Sequence, residues 1–146
     1  MTHLEEHLGQ SGFQRIQLSK NGVGHFQTVG DLAGRSLTVL IDTGAGATVV
    51  NLEVARELGL ELEKMSTTGG GAGGVSLEVY QIKGPSLRLG ELVPRVHQLM
   101  AMDFEHINRG LASKGCEPVD AILGVNVFET QSAVIDYGGS SLYLKE

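Results

Sequence analysis

The chain has 146 residues and a mass of 15.5 kDa, which suffices for one domain of ordinary size but not for two complete catalytic domains. Hydrophobic residues make up 41% of it and charged residues 19%, as in soluble globular proteins, and no apolar run approaches the ~18 residues of a membrane span. With a net charge of -6 and scattered basic residues, no stripe is available to neutralise phosphates, so we expect no nucleic acid partner.

The N-terminus and the single cysteine bear on the cellular compartment. Cys116 cannot form an intrachain disulfide, so stability does not depend on an oxidising environment. The opening residues, MTHLEEHLGQ, contain no apolar signal core. As written, the sequence predicts a cytoplasmic protein, and a periplasmic or secreted one if a leader has been trimmed. We assign residues 1–12 to a flexible N-terminal segment and residues 13–146 to one domain.

Alternating apolar and polar residues dominate the chain and predict strands. The stretches predicted as strands, by this pattern or by a short apolar run, are residues 13–18, 25–29, 35–41, 75–79, 87–89, 93–99, 121–124, 133–137 and 141–144. Asn21-Gly22 is a turn signal between the first two stretches and predicts a hairpin. The third stretch is apolar enough at its end to be buried on both faces, and it leads directly into Asp42.

Short helices interrupt the strands. Asn51 can cap a helix that Gly59 ends in a left-handed conformation. Within the polar stretch 102–118, residues 103–111 space their apolar side chains at helical intervals and predict an inserted helix or lid. The sequence of residues 125–129 predicts one further turn of helix. The expected fold is therefore a compact all-β domain with two or three short helices.

The loop after the third strand has residue types suited to holding a carboxylate. Residues 40–50 read LIDTGAGATVV. Gly44 allows a tight backbone turn beneath Asp42, and the hydroxyl of Thr43 can bond to a neighbouring backbone group. An Asx turn that leads into a helix is the simpler structural interpretation of the same residues.

This loop resembles the active-site loop of the aspartic proteases, in which two apolar residues precede Asp-Thr-Gly-Ala and a Thr or Ser. Residues 120–128 and 133–144 resemble the C-terminal half of retropepsin-like domains, an apolar-apolar-Gly element followed by a short helix and a closing hairpin. The resemblance implies a retropepsin-like acid-protease β-barrel over residues 13–146, and a hydrolase that cuts peptide bonds as an aspartic-type endopeptidase. It implies catalytic roles for Asp42, Thr43 and Gly44.

Residues 67–74, TTGGGAGG, look like the glycine-rich flap tip that closes over substrate in retroviral-type proteases. The substrate-binding residues that the resemblance implies are Ala45, Gly46, Gly70, Gly71, Ala72 and Gly73. In the same stretch, Gly69, Gly71 and Gly74 match the G-x-G-x-x-G spacing of a dinucleotide site, which requires a strand before it and a helix after it. The alternation in residues 75–79 favours a strand after it instead.

The number of Asp-Thr-Gly motifs implies the assembly. Aspartic proteases use two aspartates that share one proton, because two like charges a few ångströms apart do not both ionise cheaply. This chain has a single such motif, at Asp42. The resemblance therefore implies a symmetric homodimer with Asp42 from each subunit at the twofold axis, a peptide or protein as substrate, and no metal or cofactor.

Two alternatives remain open at this stage. The same fold can serve as a non-proteolytic module that binds peptides or proteins, since fold does not settle function. Residues 3–7, HLEEH, fit the H-x-x-E-H order of some zinc peptidases, although no apolar face or third ligand accompanies them. Gly46 departs from the family pattern, which usually has a polar side chain at that position.

Overall fold

The structure, a computed structural model, describes residues 2–70 and 76–146. The helices in these ranges are α1 (His3–Gln10), α2 (Leu52–Glu57), α3 (Glu105–Ser113) and α4 (Val125–Thr130). The strands are β1 (Phe13–Gln17), β2 (Ser19–Lys20), β3 (Phe26–Leu32), β4 (Arg35–Ile41), β5 (Val49–Asn51), β6 (Glu61–Gly70), β7 (Ser76–Lys83), β8 (Met100–Met102), β9 (Ala121–Leu123), β10 (Val134–Asp136) and β11 (Ser141–Lys145).

The strands form two sheets, and the predicted all-β class with short helices is confirmed. The larger sheet has eight strands in the order β2-β3-β4-β9-β5-β8-β7-β6, and the smaller has the order β1-β11-β10. Strand β4 pairs in parallel with β9, and β5 pairs in parallel with β8, while the remaining pairs are antiparallel.

The sheets of residues 2–70 and 76–146 do not close into the predicted β-barrel. Among the described residues, the outer strands β2 and β6 of the larger sheet do not pair with each other. Strand β1 leaves that sheet and pairs with β11 instead, with Ile16 opposite Leu142. The terminal strands thus build a separate sheet, and the larger sheet stays open.

The first predicted hairpin is wrong in its first strand. Only β2 pairs with β3, and the longer β1 lies against the C-terminal strand. Alternation identifies a strand but does not identify its partner. Strand β11 is buried from Ser141 to Leu144, so it offers Ile16 a deeply buried apolar neighbour.

Two of the predicted strands, residues 87–89 and 93–99, form only isolated bridges or irregular backbone. Their leucines are nevertheless buried, so the apolar spacing reflects core packing without a strand ladder. Pro94 lacks the backbone N–H that a ladder needs. Conversely, the structure contains a strand, β6, that the apolar pattern does not predict, because most of its residues are charged or small.

The N-terminal segment that we predicted to be flexible contains helix α1. Thr2 caps this helix by accepting a hydrogen bond from the Glu5 backbone N–H at 3.1 Å, and none of its residues is buried. With α1 the described residues have four helices rather than two or three. None of them has the length and apolar character needed to cross a membrane.

Apolar side chains pack on both faces of the central pair β4 and β9. Val39 and Ile41 belong to the main core, whereas Leu40 between them belongs to a second cluster on the opposite face. The second cluster consists of Leu40, Val49, Phe104, Leu111, Val119 and Ile122. Helix α3 and its flanking residues therefore cover one face of the strands that lead to Asp42.

Candidate active site

Asp42 directly follows strand β4 and is the first residue of a tight loop. The Asp42 backbone N–H donates to the Leu123 carbonyl at 3.1 Å, which continues the parallel pairing of β4 with β9 by one residue. The Gly44 N–H donates to Asp42 Oδ1 at 2.8 Å, and the Ala45 N–H donates to the Asp42 carbonyl at 3.2 Å. These bonds orient a half-buried carboxylate on a backbone turn.

Helix α4 braces the loop from behind. The Val125 N–H donates to the Ala45 carbonyl at 2.7 Å. A Cβ atom placed on Gly124 would overlap the Ala47 carbonyl oxygen and would lie 2.7 Å from the Ala45 carbonyl oxygen. The loop backbone can approach α4 this closely only because residue 124 is glycine.

A buried hydroxyl joins the loop to the same helix. Thr48 has no exposed surface, and its Oγ1 donates to Asn126 Oδ1 at 2.8 Å while accepting from the Gly124 N–H at 3.1 Å. Both ends of the loop are thus tied to the region around Gly124. A loop held in this way keeps Asp42 in one place, as a catalytic carboxylate requires.

The remaining loop residues predicted for the site lie at the surface. Thr43, Gly44 and Gly46 are exposed, and Ala45 is half-buried. Among the hydrogen bonds of the described residues, none involves the Thr43 hydroxyl, so the expected bond to a neighbouring backbone group is not present within the subunit. Thr43 and Gly46 are accessible to solvent on the exposed side of the loop.

The predicted flap falls on a β-hairpin. Strands β6 and β7 pair antiparallel from Glu61 opposite Lys83 to Gly70 opposite Ser76, with a register shift between Lys64 and Thr68. Strand β7 follows the glycine-rich stretch where a dinucleotide site would need a helix, so that interpretation is wrong. The other predicted flap residues, Gly71, Ala72 and Gly73, lie outside the described residues.

Comparison with known families decides the assignment. The aspartyl protease family model matches residues 28–127, a range that includes the whole loop and extends to α4. The chain belongs to the aspartyl protease family. No curated protein sequence matches the chain.

Similarity to solved structures shows that the chain has the retropepsin-like fold. A retropepsin-like aspartic protease from Rickettsia conorii is 20% identical, with a TM-score of 0.58, covering 91% of this chain and 98% of that one. EIAV protease in complex with the inhibitor HBY-793 is also 20% identical, with a TM-score of 0.54, covering 77% of this chain and 92% of that one. The retroviral protease-like domain of Ddi1 from Leishmania major is 14% identical, with a TM-score of 0.54, covering 81% of this chain and 86% of that one.

Charged pairs lie along the β6–β7 hairpin. Lys83 Nζ lies 2.8 Å from Glu63 Oε2, and its hydrogen bond and charge lower the pKa of Glu63. Lys64 Nζ lies 3.1 Å from Glu78 Oε1, and hydrogen bonds from Lys64 and from the Tyr80 hydroxyl lower the pKa of Glu78. These pairs are exposed, so they contribute little to stability and mainly set the charge pattern of the hairpin.

Among the described residues, the histidines of α1 and the single cysteine do not form a metal site. His3 and His7 both lie on α1. Within residues 2–70 and 76–146, no three His, Cys, Asp or Glu side chains are grouped so that they could hold a metal ion. Cys116 is a free, half-buried thiol.

Sequence reasoning did not select Thr48 and Asn126. A threonine next to two valines reads as part of a strand, and an asparagine early in a short helix reads as a polar surface residue. Their contact spans 78 residues of sequence, so only the folded chain shows it. The polar side chain of Thr48 within an otherwise apolar stretch was the one available signal.

We expect Thr48→Val to destabilise the protein by about 1–3 kcal/mol, because valine keeps the shape but leaves the Gly124 N–H and Asn126 Oδ1 without their partner. Urea unfolding measures this loss. The matched control is Thr28→Val, whose hydroxyl donates to the Gln17 carbonyl in an exposed position. Equal stability of the two variants would show that Thr48 does not brace the loop.

Proposed function

We propose that this protein is an aspartic-type endopeptidase, in which two Asp42 carboxylates of a homodimer activate the water that attacks the peptide bond. The observation that carries the proposal is the fixed, half-buried carboxylate at the end of β4. Its Oδ1 accepts the Gly44 N–H at 2.8 Å, whereas Oδ2 accepts no hydrogen bond among the described residues. One oxygen is therefore held by the loop and the other is free for water, substrate or the partner carboxylate.

The chemistry follows from two carboxylates that share one proton. The ionised Asp42 takes a proton from water, whose oxygen attacks the carbonyl carbon of the substrate. The protonated Asp42 of the other subunit gives its proton to the carbonyl oxygen, which forms a tetrahedral diol. The diol then loses a proton to a carboxylate, the amine nitrogen gains one, and the C–N bond breaks.

The homodimer supplies the second carboxylate. The chain contains one Asp-Thr-Gly motif, so a complete pair requires two copies of Asp42. A twofold axis between two identical loops brings the same residues together from both sides. The exposed Thr43 hydroxyl lies on the loop, where it can bond to the backbone of the partner subunit.

Substrate binding uses backbone groups rather than long side chains. The exposed Gly46 and the half-buried Ala45 lie directly after the Asp-Thr-Gly motif, and Gly70 of the β6–β7 hairpin is the residue before Gly71 in the glycine-rich sequence. Backbone N–H and C=O groups in such positions can pair with an extended peptide as strands do. Gly71, Ala72 and Gly73 complete this proposed contact.

Activity is expected at acidic to near-neutral pH without an added metal or cofactor. The reaction needs one ionised and one protonated carboxylate in the pair, which is the reason for this range. Cleavage of a diverse peptide mixture, measured from about pH 3 to about pH 8 with and without a chelator, tests the proposal. Cleavage that requires a metal would contradict it.

Mixing subunits tests the shared site. When wild-type protein is equilibrated with about a tenfold excess of Asp42→Asn subunits, we expect the activity per wild-type subunit to fall roughly tenfold, because most wild-type chains then sit in dimers with one carboxylate. An equal excess of an unrelated protein serves as the control. Activity that stays constant per wild-type subunit would mean that one chain is sufficient.

A further inference from the structure

Residues 103–119, which lie between β8 and Asp120, pack on the sheet face that carries Leu40. Asp120 itself is bonded to Thr38 and Asn51 and stays with the sheet. Side chains alternate along β4, so Leu40 projects to one face while Ile41 projects to the main core on the other. The Asp42 N–H continues the pairing with β9, and the same alternation extended by one residue puts Asp42 on the side of Leu40. Phe104 and Leu111 of the segment belong to the same cluster as Leu40. The segment therefore lies on the substrate side of the catalytic carboxylate.

The apolar surface beside Asp42 is already occupied. Leu40 and Ile122 are each 8% exposed, and Phe104 is fully buried against this cluster. Ala45 and Ala47 of the catalytic loop pack against the same cluster from the other side. An extended peptide that crosses Asp42 would need this surface for the side chains next to the cleaved bond.

The segment is held together by its own hydrogen bonds. Asn108 Nδ2 donates to the Val119 carbonyl at 3.1 Å, and the Val119 N–H donates to Asn108 Oδ1 at 2.9 Å. The Cys116 N–H donates to the Leu111 carbonyl at 2.9 Å. Among the described residues, a single hydrogen bond joins the segment to the rest of the chain, from the Phe104 N–H to Asn51 Oδ1 at 3.4 Å. Opening of the segment would therefore break this bond and the apolar contacts of Phe104 and Leu111, but no strand ladder.

We propose that residues 103–119 form a lid that lies over the substrate side of Asp42 and must swing away before an extended peptide can bind. The closed position is autoinhibitory, because only the open fraction of molecules is competent to bind substrate. This inference rests on the proposed peptidase function and adds a regulatory step to it. The alternative, a segment that stays in place as a fixed wall of the groove, is an outcome of the test below.

A reversible lock tests the lid. A Cβ atom placed on the exposed Gly22 lies 3.2 Å from Cys116 Sγ, a separation that a disulfide between the two positions can span. Gly22→Cys, once oxidised, would tie the C-terminal part of the lid to the turn before β3. Mass spectrometry of the non-reduced monomer confirms that the bond is intramolecular. Gly22→Ser and the wild type, each with and without dithiothreitol, are the controls.

We expect oxidised Gly22→Cys to lose at least roughly tenfold in kcat/KM on a polypeptide substrate, and dithiothreitol to restore it to the level of Gly22→Ser. Unchanged cleavage by the locked variant would overturn the lid and identify a fixed wall. Loss that dithiothreitol does not reverse, with Gly22→Ser fully active, would also count against the lid.

Hydrogen exchange separates failure of the lid from failure of the peptidase proposal. The amides of α3 should exchange together and faster than those of β4 and β9, and the lock should slow them specifically. If no variant cleaves peptide but α3 shows this behaviour, the peptidase proposal fails and the opening segment stands. If α3 is as protected as β4 and the lock changes nothing, the lid is wrong whatever the activity.

Discussion

Asp42→Asn is expected to abolish peptide cleavage while leaving the fold and the association of subunits intact. Asparagine has the same shape as aspartate, and its side-chain oxygen can still accept the Gly44 N–H. It cannot take a proton from water or share one with a second carboxylate. Acid–base groups of this kind contribute about 10²–10⁴-fold to rate, so the remaining kcat/KM should fall by at least that factor.

The control variant is Asp31→Asn, which changes a carboxylate with a similar backbone hydrogen bond outside the proposed site. Asp31 Oδ1 accepts the Gly34 N–H at 3.2 Å in an exposed turn, which is the same kind of carboxylate-to-backbone bond. Asp31→Asn should cleave peptides at the wild-type rate across the whole pH profile. Full activity of Asp42→Asn, with sedimentation showing an unchanged assembly, would remove Asp42 from the chemistry and with it the proposed mechanism.

Gly124→Ala is expected to destabilise the protein and to displace the catalytic loop. The added Cβ would overlap the Ala47 carbonyl oxygen and would lie 2.7 Å from the Ala45 carbonyl oxygen. Both obstacles are backbone atoms, so neither can move without the loop that holds Asp42. Overpacking of a tight site costs about 1–3 kcal/mol, and a shifted carboxylate should lower kcat/KM as well.

Gly110→Ala in helix α3 is the matched control for the added methyl group. Nothing lies within 4 Å of a Cβ atom at Gly110. Alanine is also the better helix former, so this variant should be as stable as the wild type or slightly more stable. Denaturant unfolding of both variants measures the contrast. Equal midpoints for the two would mean that the close approach at Gly124 is relieved at no cost.

The predictable parts of this protein are those that neighbouring residues determine. Strand β4, the turn at Asp42 and the cap of α2 by Asn51 were each expected from local pattern, and the structure has all three. Each of these features depends on interactions between residues only a few positions apart, so the local sequence is sufficient to predict it. The glycine-rich stretch was correctly placed before a strand, for the same reason.

Partners far apart in the chain were not predictable in the same way. The pairing of β1 with β11 and the open edge of the larger sheet depend on which apolar surfaces meet. The alternation of apolar and polar residues does not predict which strands will pair. The bond from Thr48 to Asn126 likewise depends on where two distant segments cross. Each residue alone has several acceptable environments, and only burial of the whole chain selects one.

The sequence by itself indicated the family, and it located the Asp-Thr-Gly motif and showed that the chain has one copy of it, because a carboxylate, its glycine turn and their number are properties of a short motif. The tertiary structure alone decided that Gly124, Thr48 and Asn126 contact the loop of Asp42 and that Phe104 and Leu111 pack in one cluster with Leu40. The physical reason is that packing and buried hydrogen bonds join segments far apart in the chain, so their energies exist only once the sheet has formed.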